Sequence, residues 1–283
     1  MDWVKAINEA ISYMESNLTE EISLADIADS AKISEYHFQR AFSVITGMTP
    51  TEYVRKRRLS QAGIDLSKGN CQVLDVALKY GYDSPESFSK AFSRFHGITP
   101  TQAKNREKLK RFNRCTVRIV IEESKDMDYR IENWEAMNLI LYTKEYNVED
   151  SEQAIVSLWK EYYEDEERRK VHSRIAVCRH SKKSGNRAEY GIGCETSEID
   201  EIPVGFQMIH VPCYTWAIFK CIGPTTVSLK EMWKRIYTEW LPSSEYELIS
   251  DYYDYYLERL PEGDVNSQDY VCEICIPVKK IDK

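Results

Sequence analysis

The sequence predicts an all-α double helix-turn-helix domain at the N-terminus, followed by an α+β domain of duplicated β-β-α-β-β units. Three observations predict it. A fourteen-residue segment recurs fifty positions downstream. The charge balance changes sign along the chain. The apolar periodicity changes from helical to alternating beyond about residue 126. With 283 residues the chain is long enough for two cores.

The repeat fixes the first domain. Phe38-Gln-Arg-Ala-Phe-Ser-Val-Ile-Thr-Gly-Met-Thr-Pro-Thr51 aligns without gaps to Phe88-Ser-Lys-Ala-Phe-Ser-Arg-Phe-His-Gly-Ile-Thr-Pro-Thr101, with eight of fourteen positions identical. Each copy sets Phe, Ala and Phe at i, i+3 and i+4, the stripe of a short amphipathic helix. Each then meets a Gly suited to a helix stop, and a Thr-Pro pair that caps and starts another helix. A shorter helix precedes each copy: Ser23–Ala31 before a turn and the N-cap Ser34, and Val73–Tyr80 before Gly81 and the cap Ser84. Thr51–Lys68, with the basic run Arg55-Lys-Arg-Arg58, is expected to be a long helix joining the two units.

The net charge of −8 is misleading for a DNA binder until it is divided. Residues 1–114 carry +3 and the remainder −11, and within the first part residues 31–114 hold 16 bases against seven acids, a net of +9. Such a basic segment suits phosphate attraction confined to one face. No basic leader with an apolar run opens the chain and no stretch has the length of a membrane span, so a cytoplasmic location without membrane contact is expected. The eight cysteines are then expected as reduced thiols. Cys272 and Cys275 look like a CxxC, but strand alternation sends them to opposite faces, and no second pair stands at zinc-ligand spacing. His37 and His96 are expected at the surface or facing phosphate, with no metal spacing around them. No cofactor is expected.

The first domain, about residues 5–110, resembles the AraC family of bacterial transcription regulators. Ala77, Gly81, Tyr82, Phe88, Phe92, Gly97, Thr99 and Pro100 carry the signature of the second unit. A recognition helix presents its N-terminal side chains to base edges in the major groove. In the first unit the outward residues are expected to be Ser34, Glu35, Tyr36, Gln39 and Arg40. The resemblance places Tyr36, Gln39 and Arg40 at positions that read bases or adjacent phosphates, with Arg40 suited to guanine and Gln39 to adenine. In the second unit the matching residues are Ser84, Pro85, Glu86, Ser87 and Lys90, where Pro85 cannot read an edge and Glu86 can accept from cytosine. The first unit is thus expected to be the specific reader of double-stranded DNA and the second an anchor. For Phe38, Phe42, Phe88 and Phe92 core packing is expected. The DNA-binding domain is placed at 1–112, a linker at 113–126 and the second domain at 127–283.

Beyond the linker, Met127–Trp134 and Met137–Tyr146 read as strands, Ser151–Arg168 as an amphipathic helix, and Ser173–His180 and Ala188–Glu195 as strands again. The order then repeats: Gly205–Val211 and Tyr214–Lys220, a helix at Thr225–Trp240, and strands near 250–257 and 269–278. Fourteen of the nineteen tyrosines and five of the six tryptophans lie beyond residue 114.

This stretch resembles the GyrI-like effector-binding domain through Tyr190-Gly-Ile-Gly-Cys-Glu195, Ile209-His-Val-Pro212, Gly223-Pro224, Trp240-Leu-Pro242 and Glu273-Ile-Cys-Ile-Pro-Val278. The resemblance implies an aromatic cleft that holds a small effector over a buried acid, a composition that suits aromatic or cationic ligands. The family's pocket Glu corresponds to Asp254, one methylene shorter, in the run Asp251-Tyr-Tyr-Asp-Tyr-Tyr256. Alternation sets Asp254 between Tyr252 and Tyr256 on one face. Glu195 and Glu273 are the other matched acids, and Tyr142, Trp216 and Tyr270 are candidate walls. The leading expectation is therefore an effector-responsive regulator, an activator by resemblance, and not an enzyme. Two alternatives stay open: hydrolysis of an electrophilic small molecule by a pocket Glu and Tyr, and an acidic interaction module for a protein such as RNA polymerase.

Overall fold

A computed structural model describes residues 3–69, 71–104, 109–118, 126–181, 187–199, 201–249 and 253–281, and the chain divides into two compact units, Asp2–Arg118 and Ile119–Lys283.

The described part of the first unit is helical: α1 (Trp3–Ser16), α2 (Leu24–Ala31), α3 (Glu35–Thr46), α4 (Pro50–Ser67), α5 (Val73–Lys79), α6 (Pro85–His96) and α7 (Pro100–Ala103). The caps sit where the sequence places them. Ser23 forms a capping box with Asp26, and Ser34, Thr49, Ser84 and Thr99 each accept a backbone N–H from the first turn of the next helix. The two copies stop alike: Gly47 at φ 73° and Gly97 at φ 80° each close a helix in the left-handed region, where any Cβ is strained. Phe38, Phe42, Phe88 and Phe92 of the repeat are core residues, fully buried. Around the second copy, Leu59, Ala62 and Leu66 of α4 pack with Val76, Ala77, Phe88, Phe92 and Ala103.

The joining helix α4 carries the basic run inward as much as outward. Arg57 chelates Glu15 of α1 (Nε to Oε1 2.7 Å, Nη2 to Oε2 2.8 Å) and also donates to the carbonyl of Phe112. Arg58 donates to the carbonyls of Leu18 and Glu20, and Lys56 pairs with Glu52 at 2.7 Å. Residues 113–118, expected to open a linker, instead hydrogen-bond to the helices. Cys115 N donates to Tyr53 Oη at 3.2 Å, and Val117 exchanges bonds with the Asn8 side chain at 2.8 and 3.0 Å.

The described part of the second unit is an antiparallel sheet packed with helices. Its strands are β1 (Tyr129–Trp134), β2 (Met137–Asn147), β3 (Ile175–Ser181), β4 (Arg187–Glu195), β5 (Gln207–Val211), β6 (Tyr214–Ile222), β7 (Tyr246–Leu248), β8 (Tyr253–Arg259) and β9 (Val271–Lys280); the helices are α8 (Ser151–Glu164) and α9 (Thr225–Arg235), the latter continuing in a wider turn over Ile236–Trp240. The strand order is β1-β6-β9-β8-β3-β4-β2-β5, with the short β7 beside β9. That order is unchanged when the two repeats are interchanged, so the duplication read from the sequence is a pseudo-twofold with its axis between β3 and β8. The first strand of each repeat pairs in the other half: β1 with β6, β5 with β2.

Both helices lie on one face. Tyr162 of α8 contacts Tyr142 of β2, Trp233 of α9 contacts Tyr256 of β8, and Trp240 packs edge-on against Phe219 of β6 at 4.9 Å. The opposite face gathers Leu139, Leu141, Ile175, Val177, Trp216, Ile218, Tyr255, Leu257 and Cys275. The Gly-x-Gly of β4 follows from close packing here: a Cβ on Gly193 would stand 1.9 Å from the carbonyl oxygen of Ile140. Cys272 and Cys275 do point to opposite faces, as alternation requires.

Candidate nucleic-acid interface and effector cleft

The two helix-turn-helix units are held by α4. At 1.5 Å per residue its 18 residues span about 27 Å, comparable with the roughly 34 Å between successive major grooves on one face of DNA.

In the first unit Ser34 is committed to capping, its Oγ accepting from His37 N at 3.3 Å. Helical phase sets Tyr36 and Arg40 on the side of α3 away from Phe38 and Phe42. Arg40 Nη1 donates to Tyr36 Oη at 3.3 Å, and the Tyr36 ring meets His37 edge-on at 5.5 Å. Solvent exposure differs from the expectation: Tyr36 and Gln39 are 2% and 3% exposed, His37 is buried, and Arg40 is half-buried. The Arg40 guanidinium and Tyr36 phenol engage one another. The Oε1 of Gln39 is buried and has no hydrogen-bond partner among the described residues.

In the second unit Glu86, Ser87 and Lys90 are exposed on α6. The hydroxyls of Ser84 and Ser87 are used locally: Ser84 Oγ accepts from Ser87 N at 3.2 Å and Ser87 Oγ donates to Ser84 O at 2.9 Å. His96 is not at the surface. It lies against Phe92 (4.2 Å between centroids) and Phe95 (4.7 Å), with Nε2 2.9 Å from Leu59 O. Burial holds its pKa below the ordinary imidazole value; the contact with Leu59 opposes this and Lys110 adds to it. Gly63 makes the room, since a Cβ there would meet the imidazole at 2.8 Å.

In the second unit of the chain the described residues among those expected around the effector do not form one wall. Trp216 and Glu273 lie on the face away from the helices. Trp216 is buried against Trp134 at 4.9 Å, and Glu273 is bound to Arg130 at 2.6 Å. Sheet register puts Tyr142, Asp254 and Tyr256 on the helix face. Tyr142 is tied to α8, donating to Glu161 at 2.6 Å with Arg168 stacked 4.2 Å over its ring. Tyr270 donates to Pro261 O at 2.7 Å. Asp254 is fully buried on the rung opposite His180, whose Nδ1 is 4.0 Å from Oδ2. Tyr252 lies outside the described residues. Glu195, at the end of β4, is half-buried.

The residues that do come together are partly ones the sequence left unnamed. Tyr190 of β4 donates to Glu258 Oε2 of β8 at 2.8 Å, and Glu258 is 8% exposed. The indole N–H of Trp159 on α8 reaches the same phenol, and burial foremost pushes the Tyr190 pKa well up. Tyr256, two residues before Glu258 and on the same face, meets Trp233 edge-on at 5.0 Å, and Trp233 stacks on Tyr237 at 5.8 Å. An acid thus sits between the footprints of α8 and α9, beside the pseudo-twofold axis, in aromatic surroundings. Its signal was present: Glu258 follows Tyr256 at strand spacing, and Tyr190 opens the Tyr-Gly-Ile-Gly motif. The resemblance matches the family's pocket Glu to Asp254 instead.

Among the described residues no helix is long and apolar enough to cross a membrane, and no three His, Cys, Asp or Glu cluster as metal ligands.

Comparison with known proteins agrees with both units. The GyrI-like small molecule binding domain matches residues 127–279, and a helix-turn-helix domain matches residues 27–106. The HTH-type transcriptional activator AarP of Providencia stuartii is 44% identical over 95 residues, 34% of this chain and 70% of that protein. The probable transcription factor PqrA of Proteus vulgaris is 38% identical over 98 residues, 34% of this chain and 80% of that one. The right origin-binding protein of Escherichia coli (strain K12) is 35% identical over 100 residues, 35% of each chain. Among solved structures, SAV2435 bound to tetraphenylphosphonium is similar at 17% identity and TM-score 0.47, over 54% of this chain and 94% of that one. An AraC-type regulator from Chromobacterium violaceum is similar at 28% identity and TM-score 0.35, over 36% and 91%. The chain belongs to the AraC-type helix-turn-helix transcription regulators, and its second unit is a member of the GyrI-like small molecule binding family.

Proposed function

We propose that this chain activates transcription from an asymmetric DNA site that it binds as a monomer, in response to a small lipophilic cation held against Glu258. The observation that carries the effector half is the buried Tyr190–Glu258 pair beside Tyr256, Trp233 and Trp159. A buried carboxylate and the aromatic rings around it both attract positive charge. Asp254 plays a smaller part in this reading, because its rung is shared with His180.

The DNA half rests on two capped helices joined by one continuous helix. Arg40 exchanges the Tyr36 phenol for guanine or phosphate, and Gln39 offers its amide to adenine, with Ser34 and Tyr36 alongside. Ser84, Glu86, Ser87 and Lys90 form the second contact, mainly positional. Activation implies a contact with RNA polymerase, for which the acidic second unit is the candidate surface.

Titration of the full chain with cationic and anionic dyes of matched size tests the effector half. Cations are expected to bind, and Glu258→Gln to weaken them selectively; equal binding of both dye classes would exclude the acid as the discriminator. Footprinting tests the other half, and an obligatory palindrome would exclude the monomer. The same acid–phenol pair favours one second reading, hydrolysis of an electrophilic small molecule, since a carboxylate beside a phenol is a general-base arrangement. Dye-ester turnover that Glu258→Gln abolishes would support that reading over binding alone.

A further inference from the structure

Cys221 of β6 and Cys272 of β9 stand directly opposite in the antiparallel ladder and are both buried. Opposed residues in such a ladder have Cα atoms about 4.5–5.5 Å apart, inside the roughly 4.4–6.8 Å that a disulfide bridges. Both side chains lie on the helix face, since register carries that parity through Phe219, Ile274 and Glu258. Both are free thiols, and the Cys221 thiol donates to the carbonyl of Phe219 at 3.8 Å. Ser228, in the first turn of α9, donates its hydroxyl to Gly223 O at 3.3 Å.

The rung is also reachable. It is the penultimate pair of the ladder; the last is Ile222 with Val271, 59% and 39% exposed. Fraying of one pair at a strand end uncovers the sulfurs without opening the sheet. The neighbouring Cys221 lowers the pKa of the Cys272 thiol against the opposing effect of burial, whereas Cys221 is pushed up. Cys272 is accordingly written as the attacking thiol and Cys221 as the resolving one.

We propose that Cys221 and Cys272 are a redox pair, forming a reversible cross-strand disulfide under hydroperoxide beneath the start of α9. The Cys272 thiolate attacks one peroxide oxygen; the O–O bond breaks, the leaving hydroxide takes a proton as water, and Cys272 becomes a sulfenic acid. The Cys221 sulfur then attacks the Cys272 sulfur, the S–S bond forms as the S–O bond breaks, and the hydroxyl leaves with the Cys221 proton as a second water. Two thiols lose two electrons and one peroxide becomes two waters. Opposed strand residues hold their Cβ atoms about 4.5–5.5 Å apart, wider than the roughly 3.5–4.5 Å of a relaxed disulfide. The bond is therefore strained and easily reduced, as suits a switch and not a staple. Glu258 lies one rung diagonal to Cys272 on the same face, so oxidation acts beside the acid of the effector cleft.

The test uses the reduced full-length chain and hydrogen peroxide, with alkylation after unfolding and peptide mass analysis without reductant. The expected result is loss of two alkylatable thiols and a peptide joined through Cys221 and Cys272, both reversed by dithiothreitol. Cys275→Ser is expected to keep the bridge. Cys221→Ser is expected to lose it and leave a dimedone-trappable sulfenic acid at Cys272. Both sulfurs alkylated in full while the exposed Cys213 oxidises, or a bridge from Cys272 to any other cysteine, would overturn the proposal, and the wild-type chain alone decides these outcomes.

Discussion

Tyr190 and Glu258 are hydrogen-bonded at 2.8 Å across an intervening strand, over Ala176 and Cys178 of β3. Two strand spacings are about 9–10 Å, so the bond exists because a long phenol and a long carboxylate lean toward each other. Shortening either arm breaks it.

Glu258→Asp and Glu258→Gln should therefore behave differently. The aspartate keeps the charge and loses the bond; the glutamine keeps the reach and loses the charge. Affinity for a lipophilic cation is expected to fall at least tenfold in Glu258→Gln, about 1.4 kcal/mol, with neutral aromatics unaffected. Calorimetry on both variants checks this. Tyr190→Phe, which removes one donor from a buried carboxylate, should lower stability by about 1–3 kcal/mol, read by urea unfolding.

Arg57 is expected to behave as a structural residue despite its place in a basic run. Arg57→Ala leaves Glu15 buried with Tyr53 as its remaining partner (2.7 Å) and frees the carbonyl of Phe112. Breaking such a pair costs about 3 kcal/mol, and Arg57→Lys recovers part of it without the bidentate geometry. Burial pushes the Glu15 pKa up, but hydrogen bonds from Arg57 and Tyr53 prevail and hold it below the usual range. The associated stability is full above the unfolded value and is lost as pH falls through the lower folded value. Thermal melts of wild type and Arg57→Ala should converge in acid.

His96 gives a second pH dependence with a different window. Its folded pKa is lowered, so the unfolded chain takes up the proton first. Stability is full above about 6.5 and declines as pH falls below that value toward the lower folded pKa. His96→Phe keeps the packing on Phe92 and Phe95 and should flatten the melting temperature between neutral and mildly acidic pH.

Arg40 and Lys90 should separate reading from anchoring. Arg40→Ala is expected to cost about 1–3 kcal/mol and relax preference at one base pair, whereas Lys90→Ala should weaken all sequences alike and reduce the salt slope by about one. Binding isotherms on operator and scrambled DNA across a salt series distinguish them.

The helices, caps and succession of strands along the chain were largely legible because they depend on local signals: the Phe-x-x-Ala-Phe stripe, Gly47 and Gly97 after it, Thr-Pro next, and period-two alternation later. What the sequence hid was which partner each polar group takes. Arg57 and Arg58 belong to the basic segment that suits phosphate attraction, yet a carboxylate and three carbonyls at distant positions hold them. His96 read as a surface residue because nothing local announces the space left by Gly63. Trp216 and Glu273 were grouped with Asp254 by motif, although strand parity and pairing, known only once the register is fixed, put them on the other face. Glu258 was passed over for the same reason: its partner Tyr190 lies 68 residues away.

The exchange of β1 and β5 between halves has a consequence for how this sheet can come apart. Each half lends its opening strand to its twin and borrows one back, like two hands each gripping the other's wrist. A single cut in the 196–206 connection should leave two fragments that each lack a border and each carry the other's. Neither is self-sufficient, and both are templates for reunion. Co-expressed as separate chains, they are expected to reassemble, while either alone presents a bare strand edge and aggregates.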